Sequence, residues 1–213
     1  MITVQDQEEL FELISNYLEE DVECFALGGT AMMFYGYKIT TKDIDLVFLT
    51  EKERIIFINA IEQLGYKQIS AKGIYSEKTL LNQQRPLMFS RGDERFDLFL
   101  KNIFGFQIDE NIIFDFFARH DFITKKELIV KVLNKEYIVL LKSVTNREKD
   151  FEDIQTIVKK DKHLDWDKII DEAIRQKENN QWILLDLEEK MNELKKSIFL
   201  PSKLFKKLYE EQD

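Results

Sequence analysis

The apolar run Cys24-Phe25-Ala26-Leu27 stops at Gly28-Gly29, and the segment that follows, Thr30-Ala31-Met32-Met33-Phe34-Tyr35, reads as a short helix closed by Gly36. A strand that turns into a helix through a glycine pair needs a second strand to pack beside. Ile44-Asp45-Leu46-Val47-Phe48-Leu49 supplies it, and Thr50 with Glu53 then forms a capping box for a helix carrying Phe57, Ile58, Ile61 and Leu64 up to Gly65. Two successive strand-to-helix passages commit the first half of the chain to an α/β arrangement.

The remaining segments extend that arrangement. Leu10, Phe11, Ile14, Tyr17 and Leu18 recur at helical spacing within residues 6–20, with acidic residues between them. Lys67–Ser70 and Leu87–Ser90 read as strands, separated by a Gly73 turn and a polar stretch at Asn82–Arg85. Arg95–Leu100 follows an Arg-Gly-Asp-Glu turn and is expected to pair with Leu87–Ser90 as a hairpin. After about residue 110 the pattern becomes helical, at 134–146, 148–160, 165–178 and 182–197, and Pro201 is placed to start a last short helix. The expected fold is α/β (α+β): a small mixed sheet flanked by helices in residues 1–110, and a helical bundle in residues 111–213 packed on it.

Composition removes several classes of function. Among 213 residues, 31 Lys and Arg against 40 Asp and Glu leave a net charge of −9, which disfavours a general nucleic-acid coat or a binder of anionic membranes. Cys24 is the single cysteine and is accompanied only by His120 and His163, so disulfide frameworks and zinc modules are excluded. The N-terminus turns acidic at once, unlike a signal peptide, and no run approaches the roughly 18 apolar residues of a membrane span. A cytoplasmic protein is expected.

The candidate chemistry lies between Gly28 and Asp97. The two glycines let backbone approach a ligand closely, the start of a helix favours an anion, and Thr30 adds a hydroxyl. Asp43 and Asp45 are two apart on a strand, so their carboxylates share a face and repel one another unless a cation lies between them. Asp45 also interrupts an apolar run, where a carboxylate without compensation is costly. Asp97, flanked by Phe96 and Leu98, is a third candidate on a neighbouring strand. Magnesium, with manganese as a substitute, prefers such oxygen donors together with substrate phosphates. Three carboxylates suffice for two ions about 3.5–4 Å apart, one activating an attacking hydroxyl and the other steadying a leaving pyrophosphate.

Gly28-Gly29-Thr30-Ala31, Thr41-x-Asp43-Ile44-Asp45-Leu46 and Phe96-Asp97-Leu98 together resemble the signature of the DNA polymerase beta-type nucleotidyltransferase superfamily. Lys142-x-x-x-x-Arg147-x-Lys149-Asp150-x-x-Asp153 is similar to the abortive-infection nucleotidyltransferase-like toxins (AbiEii-like) and their stand-alone relatives. The resemblance implies a transferase that moves a nucleoside monophosphate from a nucleoside triphosphate to a hydroxyl of tRNA or a protein, with an antitoxin as possible partner. An aminoglycoside-type small molecule is the rival acceptor, and a catalytically silent nucleotide- or protein-binding relative the rival class. It further implies Gly28, Gly29 and Thr30 on the phosphates, Asp43 and Asp45 as metal ligands, Asp97 as third carboxylate and base, and Lys142 and Asp150 beside the nucleotide. Lys38 stands where the family often has Arg, keeping the charge but not the bidentate fork.

Plainer readings apply to the other conspicuous residues. Cys24 reads as buried filler, and Met32, Met33, Phe34 and Tyr35 as core rather than a base-stacking platform. Mixed charge over Lys142–Asp153 reads, by itself, as a solvated helix face. Lys195, Lys196, Lys203, Lys206 and Lys207 fall where helix C-terminal turns attract lysine, and this outweighs a role in guiding RNA.

Overall fold

The computed structural model describes residues 1–70, 85–145 and 147–211. The expected Gly73 turn and most of the Asn82–Arg85 stretch lie outside the described residues. The chain divides into two compact units, one of Met1–Ile103 and Ile108–Leu133, the other of Phe104–Gln107 and Asn134–Asp213.

The first unit begins with β1 (Ile2–Thr3) and α1 (Val4–Ser15), where Thr3 and Asp6 form a reciprocal capping box. Then come β2 (Val22–Ala26), α2 (Gly28–Phe34), β3 (Thr40–Thr41), β4 (Asp43–Phe48) and α3 (Glu51–Gln63). Thr50 accepts the Glu53 N–H at the start of α3, and Gly65, with φ +89°, allows the chain to leave it. The strands β5 (Lys67–Ile69), β6 (Leu87–Arg91), β7 (Glu94–Leu100) and β8 (Asn102–Ile103) follow. After β9 (Phe106–Gln107) of the second unit, the first unit closes with α4 (Glu110–Ile113), β10 (Phe116–Ile123) and β11 (Glu127–Leu133).

The main sheet runs β10-β11-β2-β4-β7-β6-β5. It is mixed: β11 is parallel to β2, β2 antiparallel to β4, β4 parallel to β7, and β6 antiparallel to β7 as the hairpin pattern predicts. Parallel β4 and β7 require a crossover, and α3 lies in it. Phe57 of α3 meets Phe48 at 5.3 Å and Phe96 at 5.6 Å between ring centroids. The even-numbered residues of both strands therefore face α3, and the alternation sends Asp43, Asp45, Arg95 and Asp97 to the opposite face.

The hairpin β10–β11 corrects the expectation that the sheet ends near residue 110. Residues of β10 alternate between half-buried and exposed along its length, as suits an edge strand, and Arg119, His120 and Asp121 place polar groups on it. The short connection Thr124–Lys126 and the alternating apolar residues Leu128, Val130 and Val132 return the chain as an inner strand.

In the second unit α5 (Lys135–Thr145) packs against α6 (Glu148–Lys160), α7 (Trp166–Gln176) and α8 (Ile183–Leu194), and α9 (Ser202–Glu210) packs on α7 and α8. All five helices fall within the periodicities read from sequence. Pro201 is the N-cap of α9, one position before its expected place. Gln176 accepts from the Gln107 N–H at 3.1 Å and donates to the Gln107 carbonyl at 2.9 Å, which fixes β9 to the end of α7. Among the described residues no helix is long and apolar enough to cross a membrane.

Candidate active site

The β4–β7 register sets Asp43 opposite Arg95 and Asp45 opposite Asp97. Three carboxylates thus meet on two adjacent strands, and each offers an oxygen within 4.8 Å of the others. Asp97 is fully buried, because β7 is an inner strand between β4 and β6 rather than an edge, while Asp43 and Asp45 are half-buried. The donor set is hard oxygen throughout and concentrates negative charge at one point, which fits a divalent cation such as magnesium or manganese.

Gly28 and Gly29 are the first residues of α2 rather than a turn before it, and they bring that helix onto β4 and β3. A Cβ at Gly28 would come within 2.4 Å of Asp45 Oδ2, and one at Gly29 within 2.5 Å of Thr41 Oγ1. Gly28 also holds φ at +55°, a left-handed conformation that side chains disfavour. In the space so cleared, the Gly29 N–H points to Asp45 Oδ2 at 3.4 Å. Thr30 is buried, and its hydroxyl accepts the Asp45 backbone N–H at 2.8 Å, while the Leu27 N–H donates to the Asp45 carbonyl at 3.2 Å. Leu27, Gly29 and Thr30 thus each hydrogen-bond to Asp45. Lys38 follows α2 half-buried, with its backbone N–H on the Met32 carbonyl at 3.2 Å.

Arg95 is a component of this site that the sequence reading left out. Its Nε donates to Asp97 Oδ1 at 2.8 Å, and its Nη2 donates to Asp97 Oδ2 at 3.2 Å and to Asp43 Oδ2. The signal was present in the sequence: Arg95 and Asp97 are two apart on a strand, the spacing that places Asp43 and Asp45 on one face.

Lys142 and Asp150 belong to the second unit, where they are buried and bound to each other. The Lys142 ammonium donates to Asp150 at 2.9 Å and to Asp153 at 2.6 Å, and Asp150 also accepts from Thr145 and from Arg147. Burial works against the Lys142 ammonium, yet Asp150 and Asp153 more than offset it and raise its pKa. Burial likewise opposes the Asp150 carboxylate, but Lys142 and Arg147 win and hold its pKa at about 2. The solvated-face reading of this segment is therefore wrong, since the i, i+3 aspartates turn inward with Ile154 and Ile157.

The remaining residues take the plainer roles. Cys24 is fully buried, with its thiol pKa pushed well up by burial. Met32 and Met33 are core, whereas Phe34 is half-buried and stacks on His120 at 4.2 Å. Lys203 and Lys207 pair with Asp167, Lys207 also with Asp171, and Lys206 with Glu210.

No curated protein matches the chain. A family model described as nucleotidyl transferase of unknown function (DUF2204) matches residues 6–195, a span that takes in the strands bearing the aspartates and the buried ion triad of α5 and α6, and the chain belongs to that family.

Proposed function

We propose that the protein is a metal-dependent nucleotidyltransferase that moves a nucleoside monophosphate from a nucleoside triphosphate to a hydroxyl acceptor. The convergence of Asp43, Asp45 and Asp97 beside the glycines that open α2 carries this reading. Asp43, Asp45 and Asp97 are the residues that would hold Mg2+ or Mn2+, with two ions as the fuller complement. When bound, such ions neutralise phosphate charge and lower the pKa of an attacking hydroxyl.

The chain's own residues supply position and charge. Gly29 and Thr30 hold Asp45 in place, Gly28 and Gly29 let the start of α2 come close to Asp45 and Thr41, and Gly28, Gly29, Thr30 and Lys38 are assigned to the phosphates. The acceptor oxygen bonds to the α-phosphorus as the bond from that atom to the bridging oxygen of the β-phosphate breaks. Pyrophosphate leaves, and the acceptor's proton passes to Asp97. The resemblance sets Lys142 and Asp150 beside the nucleotide; within the second unit both are buried and spend their charge on one another and on Asp153 and Arg147.

For the acceptor we assign tRNA or a protein, on the similarity of Lys142–Asp153 to AbiEii-like toxins, with an antitoxin as partner and an aminoglycoside-type molecule as the alternative. One observation favours a second reading, a catalytically silent nucleotide- or protein-binding relative: Arg95 already compensates Asp43 and Asp97. Incubation of the protein with total RNA, cell protein and each labelled triphosphate in Mg2+ separates the two. Transfer that disappears in Asp45→Asn, with the fold retained by circular dichroism, is expected. Transfer persisting above about a tenth of wild type in that variant refutes the site, because loss of a transition-state charge interaction of about 2.7–4 kcal/mol costs 10²–10³ in rate.

A further inference from the structure

Asp97 is fully buried beside two more carboxylates, an arrangement in which a negative charge calls for a positive partner. Arg95 is that partner. It lies directly across the strand pair from Asp43 and two residues before Asp97, and its guanidinium engages both oxygens of Asp97 and one of Asp43. These are charge-assisted bonds in the geometry for which arginine is suited.

We propose that Arg95 is a built-in competitor for the cation: its guanidinium must leave Asp43 and Asp97 before a divalent ion is held by all three carboxylates, and it thereby sets the metal affinity of the site. The inference rests on reading Asp43, Asp45 and Asp97 as a cation site. Two features of the geometry support exchange rather than coexistence. Both oxygens of Asp97 accept from Arg95, so whichever of them meets the ion is one that the guanidinium already uses. Asp97 is closed to solvent, whereas the Arg95 side chain keeps 23% of its surface exposed and has water to move into. Metal-free protein avoids an uncompensated carboxylate cluster, and ion binding costs the breaking of the arginine bridge.

The probe is Mn2+ alone, titrated by calorimetry into wild type, Arg95→Met, which keeps the aliphatic stem, and Arg95→Lys, whose point charge cannot span both carboxylates. Removing the competing charge-assisted bonds is expected to tighten Mn2+ binding at least about tenfold in Arg95→Met, with Arg95→Lys between it and wild type. Equal or weaker binding by a folded Arg95→Met overturns the proposal while leaving the cation site standing. Should Arg95→Met not fold, tighter binding by Arg95→Lys supports the proposal and unchanged binding overturns it. Absence of Mn2+ binding in all three proteins overturns the cation site itself and the inference with it.

Discussion

Gly28→Ala and Gly36→Ala make a matched pair that isolates what the glycine at the start of α2 does. Both positions hold a left-handed backbone, φ +55° and +69°, so alanine at either costs about 1–2 kcal/mol in strain. For a chain of this size that is a loss of about 2–8 °C in melting temperature. They differ in surroundings: nothing lies within 4 Å of a Cβ at Gly36, whereas a Cβ at Gly28 meets Asp45 Oδ2 at 2.4 Å. Ordinary contact begins near 3.4 Å, so the Asp45 carboxylate must retreat by about 1 Å. A misplacement of that size in a reacting site costs on the order of 10²-fold in rate. Thermal melts and Mn2+ calorimetry on the two variants should show similar losses of stability, with Mn2+ affinity and transfer falling in Gly28→Ala alone. If Gly28→Ala keeps wild-type Mn2+ affinity and rate, the close approach of α2 to Asp45 has no functional role, and Gly28 is only a backbone requirement.

Lys142→Ala and Lys142→Met should each destabilise the protein by about 3–5 kcal/mol in urea denaturation, because each leaves the buried Asp150 and Asp153 without the ammonium between them. A cost below about 1 kcal/mol for both would show that the triad does not hold α5 to α6. Asp150 also confers an acid dependence. Its folded-state pKa of about 2 lies below the ordinary 3.8, so its stabilisation is complete above about pH 3.8 and is lost as the pH falls through that value towards 2. Between pH 5 and pH 2 the melting temperature of wild type should therefore fall more steeply than that of Asp150→Asn, and parallel curves would remove Asp150 from the account.

Local rules made most of the first unit readable. The capping residue Thr50, glycines at positive φ at positions 36 and 65, and the Arg91–Glu94 turn each act through neighbours in sequence. The hairpin β10–β11 was not readable in the same way. Phe116-Phe117-Ala118-Arg119-His120-Asp121-Phe122-Ile123 has a weak alternation because, as an edge strand, it is only half covered, and its register also shifts between Phe116 and Ala118. Such a strand is defined by its partner β11, whose apolar residues are set against β2, a segment about a hundred residues earlier.

The site shows the same division between local and distant information. Asp43 with Asp45, and Arg95 with Asp97, are each placed on one face by the period-two alternation of a single strand, which any reading of the chain contains. What joins the two pairs is the parallel register that sets Asp45 against Asp97, and register between strands half the sheet's sequence apart follows from the packing of Phe48, Phe57 and Phe96 on the other face. A slip of one residue in β7 would send Asp97 into the aromatic core and Phe96 into the carboxylates. The apolar face therefore fixes the register of the polar one, and the charge on Arg95 makes the polar face tolerable in the absence of a cation: once Asp43 and Asp97 are forced together, the period-two alternation of β7 puts the Arg95 guanidinium on the same face, in reach of both.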